Sequence, residues 1–191
     1  MSIDSKNSSS TQPKDAGQKN HVLSEILDWL RIFFIAAAGA WLCNHLLIMN
    51  TQVPTGSMED TIPKPSRIIS SRVHYWFGDP ERGDVILFDP PDGDEYYYVK
   101  RVVGMPGETL QITDGRVYIN GSDVPLDEPY LRETPTGSFG PYVIPEGCYF
   151  VMGDNRNHSN DSRYWQNSFV ARENIYAKAI FGYWPRLFWI R

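Results

Sequence analysis

The chain has 191 residues, 41% of them hydrophobic and 14% aromatic, and a formal charge of −5. That length holds one anchored segment plus a single domain rather than two large ones. The acidic balance, with no run of like charge, leaves no basic field for DNA or RNA. With 14 Pro and 15 Gly the sequence is rich in turns, which favours a mainly β fold over long helices. Cys43 and Cys148 are too few for a disulfide framework, and His21, His45, His74 and His158 are scattered without metal-ligand spacing, so no metal or cofactor is expected.

Residues 1–20 are polar and nearly free of large apolar groups, and a disordered tail is expected there. Residues 21–49 are expected to form an anchor helix. Its apolar run Ile32–Met49, at about 1.5 Å per residue, nearly reaches the roughly 30 Å of a hydrocarbon core. A buried helix of a soluble protein would look similar. Against it stand Lys14, Lys19 and Arg31 before the run and no further basic residue until Lys64, which fits a single-pass anchor with its N-terminus in the cytoplasm. No pair of small residues follows the run at cleavage spacing, so the segment reads as uncleaved. Trp41 and Leu42 stand where small residues would precede a lipidated Cys43.

From Asn50 to the end the sequence predicts an extracytoplasmic β domain. Strands are expected at Arg72–Phe77, Asp84–Phe88, Tyr96–Val103, Thr109–Thr113, Arg116–Asn120, Cys148–Met152 and Ala177–Trp184. Asp114-Gly115 between two alternating runs suits a two-residue type I′ hairpin. The proline-punctuated stretch around 105–147 reads as an insertion. The aromatic end FGYWPRLFWIR fits either core or a membrane interface, with Trp189 and Ile190 as the interfacial candidates.

Three segments carry reactive groups. PTGSMEDTIPK places Ser57 in a glycine-containing turn just after the anchor; alone, a turn serine means little. YYYVKRVVGMPGETL sets Lys100 and Arg101 in a run of β-formers, where alternation turns one of them inward. An inward lysine is costly unless it sheds its charge, and a neutral amine is what a serine/lysine pair needs. MGDNRNHSNDSRYW follows a strand and gathers hydroxyls with Asp/Arg pairs able to orient such a lysine.

Together with RGDVILF at Arg82–Phe88, these segments resemble the boxes of the type I signal peptidases, the serine/lysine peptidases that remove signal peptides from secreted proteins. The resemblance runs in order from about Leu30 to Trp184. It implies a signal-peptidase-like β domain on one transmembrane helix at the cell membrane, without metal or cofactor. Its partners would be the signal peptides of preproteins, the lipid bilayer and the protein export machinery. Ser57 would then be the nucleophile and Lys100 its general base. The oxyanion hole would use the Ser57 backbone N–H and the Thr55 hydroxyl. Ser159 would orient the lysine, Asp154, Asp161, Arg163 and Arg101 would brace the site, and Val53 and Val99 would line pockets admitting small residues, as in Ala-X-Ala ends. Two other readings compete: a self-processing peptidase of related chemistry, whose DNA-binding segment has no counterpart in the first fifty residues, and a catalytically silent tethered binding module, which Ser57 and Lys100 argue against.

Overall fold

The computed structural model describes residues 15–93 and 96–191, which divide into two compact units meeting between Cys43 and Asn44. The helix α1, from Asp15 to Leu46, supplies the described residues of the first unit and ends three residues into the second. Residues 1–14 of the expected disordered tail lie outside the described residues, whereas Asp15–Asn20 are helical. Within α1, Ser24–Leu46 has a mean hydropathy of 1.7 and none of its apolar window is buried. Trp29, Phe33, Phe34 and Trp41 all stand exposed. This segment is long and apolar enough to cross a membrane. It ends earlier than the apolar run suggested. Ile48 and Met49 belong to strand β1 (Ile48–Val53), where they pair with Ser71 and Ser70, and Met49 is buried in the β core.

The second unit is mainly β. Its large antiparallel sheet follows the order β1, β2 (Ser66–Ser71), β10 (Ile175–Trp184), β3 (Val85–Phe88), β4 (Tyr98–Gly104), β8 (Cys148–Met152) and β9 (Val170–Ala171), with β11 (Phe188–Trp189) paired to β10. A second sheet, ordered β6 (Arg116–Ile119), β5 (Thr109–Thr113) and β7 (Phe139–Val143), occupies the stretch read as an insertion. It packs Leu110, Ile112 and Val117 against Val103, Phe150 and Met152 of the large sheet. Its hairpin turns at Asp114 and Gly115, both at positive φ (48° and 77°), as a type I′ turn requires.

One expected strand is absent. Arg72–Phe77 holds a 3-10 turn at Val73–Tyr75, and Phe77 is 87% exposed. These β-formers have no partner strand, because the pairing strand lies just before them in β2. The alternation of β2 is hidden because its inward positions Ser66 and Ser70 are polar, although both are fully buried. β1, β7, β9 and β11 also escaped the sequence pattern. At the C-terminus the alternatives separate by residue: Phe188 and Ile190 pack on the core beside Met49 and Ile68, while Trp189 stays exposed.

Two features of this framework position the site. The connection 54–65 between the paired strands β1 and β2 is pinned by Met58 and Ile62, both fully buried. β4 is central, hydrogen-bonded to β3 and β8, and buried along nearly its whole length.

Candidate active site

Ser57 sits at the start of a turn whose backbone bonds run from Glu59 N–H to Gly56 O and from Ile62 N–H to Met58 O. Lys100, from β4, meets it: Nζ lies 2.5 Å from Ser57 Oγ. Lys100 is 4% exposed and Arg101 only 1%. The expectation that just one of them turns inward therefore falls short, since both sides of β4 are covered and each residue has a buried partner.

Their partners differ in kind. Arg101 is held by Asp154 through two parallel bonds, Nε to Oδ1 at 2.8 Å and Nη2 to Oδ2 at 2.7 Å, and further donates to Gly83 O. Arg163 holds Asp161 in the same forked way at 2.8 and 2.9 Å, and Asp161 also accepts the Gly153 N–H. A third buried pair, Arg156 with Glu128, closes the set. These three guanidinium groups and three carboxylates balance one another. Among the described residues no carboxylate pairs with Lys100, so a protonated Lys100 would be the unmatched charge of the cluster. Burial accordingly pushes its amine down to about 8, against the opposing pull of Asp161.

The loop after β8 grips the nucleophile turn from behind. Asn155 N–H donates to Ser57 O, and its side-chain amide to Gly56 O, each at 3.0 Å. Gly153 lies so close that a Cβ there would fall 2.4 Å from Ser57 O and 2.3 Å from Ser159 Oγ. Ser159 is buried, and its hydroxyl has no hydrogen-bond partner among the described residues. The bond to Lys100 expected of it is not formed in this conformation.

Ser57 and Lys100 open onto a cleft of about 550 Å³. Gln52–Ser57 form one part of its lining and Tyr96–Lys100 another, so Val53, Thr55 and Val99 all face it, together with His158 and Asn160. Among the described residues no group of three His, Cys, Asp or Glu side chains converges to hold a metal ion. The structure thus brings the expected Ser57, Lys100, Val53, Thr55 and Val99 to one cleft, and pairs Arg101 with Asp154 and Arg163 with Asp161. The sequence reading missed Gly153, Asn155 and the Glu128–Arg156 pair. A glycine where a buried strand meets a loop does signal close backbone approach, but nothing in one sequence links Glu128 to Arg156.

The signal peptidase family, peptidase S26, matches residues 26–184. The chain belongs to this family. Relatives in it include a signal peptidase I of Leptolyngbya laminosa, 40% identical over 70% of this chain and 67% of its own length. One from Bacillus licheniformis is 38% identical over 80% of this chain and 84% of its own. Among solved structures, a signal peptidase I from Enterococcus faecalis is 36% identical and aligns with 53% of this chain and 97% of that one, at a TM-score of 0.46. As a member of the signal peptidase family the protein is a serine endopeptidase anchored to a membrane.

Proposed function

We propose that this protein removes N-terminal signal peptides from exported preproteins, with Ser57 as nucleophile and Lys100 as general base. The observation that carries the assignment is the 2.5 Å contact between a buried serine hydroxyl and a buried lysine that lacks a carboxylate partner among the described residues. In its neutral form Lys100 accepts the Ser57 proton as Oγ attacks the scissile carbonyl. The Ser57 N–H and the Thr55 hydroxyl take the oxyanion, and Lys100 then protonates the departing amine. The same amine, neutral again, draws a proton from the water that hydrolyses the acyl-enzyme. Ser159 orients the amine by turning its uncommitted hydroxyl toward it, while Asp154 with Arg101 and Asp161 with Arg163 fix the walls around both groups.

Specificity follows from the cleft. Val53 and Val99 line the cleft with apolar side chains, and walls of this kind favour small residues such as those of Ala-X-Ala ends by excluding bulk. Lys14, Lys19 and Arg31 support a cytoplasmic N-terminus and an extracytoplasmic catalytic domain, where preproteins emerge from the export machinery. The test is cleavage of a membrane-embedded preprotein by the purified full chain, with the new N-terminus sequenced. A cut after Ala-X-Ala by wild type and none by folded Ser57→Ala is expected; turnover retained in Ser57→Ala would overturn the assignment.

A further inference from the structure

The segment 125–136, between β6 and β7, lies outside the cleft and contains no group that reaches Ser57 or Lys100. It nevertheless touches all three reactive segments. The Arg132 N–H donates to Asp60 Oδ2 at 3.0 Å, beside the nucleophile turn. The Tyr130 ring lies 4.0 Å from the Arg101 guanidinium carbon, next to the base. Glu128 receives both terminal nitrogens of Arg156, at 3.0 and 2.5 Å, and Thr136 donates twice to Asn157 Oδ1 at 3.1 Å. Arg156 and Asn157 belong to the loop whose Asn155 grips Ser57 O.

The chemistry of these contacts exceeds what a surface loop needs. The Glu128 and Arg156 side chains are 7% and 1% exposed. A buried ion pair contributes little net stability, yet breaking it strands a charge. Tyr130 sits against two guanidinium groups, with Arg156 6.0 Å from its ring, and its hydroxyl donates to Glu128 Oε1 at 2.7 Å. Pro125, Pro129 and Pro135 stiffen the backbone that carries them.

We propose that residues 125–136 form a strap that positions the catalytic loop, with Glu128 and Tyr130 as its positioning residues acting through Arg156 and Arg101. Glu128 fixes Arg156, the neighbour of the residue that holds the Ser57 carbonyl, and Tyr130 covers the arginine that follows Lys100. The strap sets the spacing of nucleophile and base without touching substrate. This assignment rests on the peptidase reading for its kinetic consequence but not for its mechanical one.

Glu128→Gln keeps size and some hydrogen bonding while removing the charge; Tyr130→Leu removes the ring contacts and the hydroxyl's bond to Glu128 but keeps both charges of the ion pair. Both are made in the full chain. By hydrogen exchange, either should speed exchange at the Asn155 and Gly153 amides, which bond Ser57 O and Asp161, and leave the β5–β6 hairpin unchanged. This readout stands whether or not the protein cuts signal peptides. With a preprotein substrate, kcat should fall about 10- to 100-fold, the range for a misplacement near 1 Å, with KM nearly constant because the cleft lining is intact. Exchange confined to the strap, or a rise in KM with kcat unchanged, would overturn the proposal. Absence of turnover in wild type would count against the peptidase reading alone and leave the exchange result to decide on the strap.

Discussion

Replacing Lys100 by Met should make the folded protein more stable at neutral pH while abolishing its activity. Burial takes the amine from an ordinary 10.5 to about 8. At about 1.4 kcal/mol per pH unit, holding the lysine protonated inside the fold costs about 3 kcal/mol. Between pH 8 and 10.5 the unfolded chain keeps a proton that the folded chain has released, so wild-type stability rises with pH across that window and the penalty is complete below it. Methionine has similar bulk and no charge, but it forfeits the hydrogen bond to Ser57, worth about 1 kcal/mol. The variant should therefore gain about 2 kcal/mol at pH 7, and the gain should disappear as the pH approaches 10.5. Denaturant unfolding of both full chains in detergent at several pH values measures this directly, and titrations of other groups cancel in the difference. A stability difference independent of pH would refute the claim that Lys100 releases its proton near 8.

Three more outcomes follow from the same geometry. Lys100→Arg should be inactive at every pH although charge and bulk are nearly kept, because a guanidinium cannot act as a neutral base; wild-type kcat/KM should instead rise as pH passes through about 8. Gly153→Ala places a methyl 2.4 Å from Ser57 O and 2.3 Å from Ser159 Oγ, which should lower stability by about 1–3 kcal/mol and kcat by about 100-fold, read by unfolding and steady-state kinetics. Protease added outside intact cells should digest the chain beyond Asn50 and spare the N-terminal tail, which an epitope placed there would report.

What the sequence revealed depended on how local the signal was. The 113–116 hairpin needed only its own turn chemistry, and β3, β4 and β8 are apolar runs that declare themselves. β1 was absorbed into the anchor because Ile48 and Met49 continue its hydrophobic run; only pairing with Ser71 and Ser70 separates them. β2 was lost because serines fill its inward positions. In the site, Ser57 and Lys100 were singled out by motif and setting, and Val53 and Thr55 by the resemblance to the family; the structure places all four on one cleft. The partnership of Glu128 with Arg156 joins residues 28 apart through tertiary folding alone, a relation that no local pattern encodes. Ser159 illustrates a different limit: the resemblance implied a bond to Lys100, whereas its hydroxyl has no hydrogen-bond partner among the described residues.

The one-to-one matching of Arg101, Arg156 and Arg163 with Asp154, Glu128 and Asp161 also constrains how such a protein can change through descent. Loss of any one of the six leaves a solitary charge in a dry interior, at a cost of several kcal/mol in stability as well as turnover. The route open to neutral drift is the exchange of both members of a pair. These positions should therefore vary as three linked couples across descendants, with Glu128 tracking Arg156 despite lying in the proline-rich stretch where loops ordinarily diverge fastest.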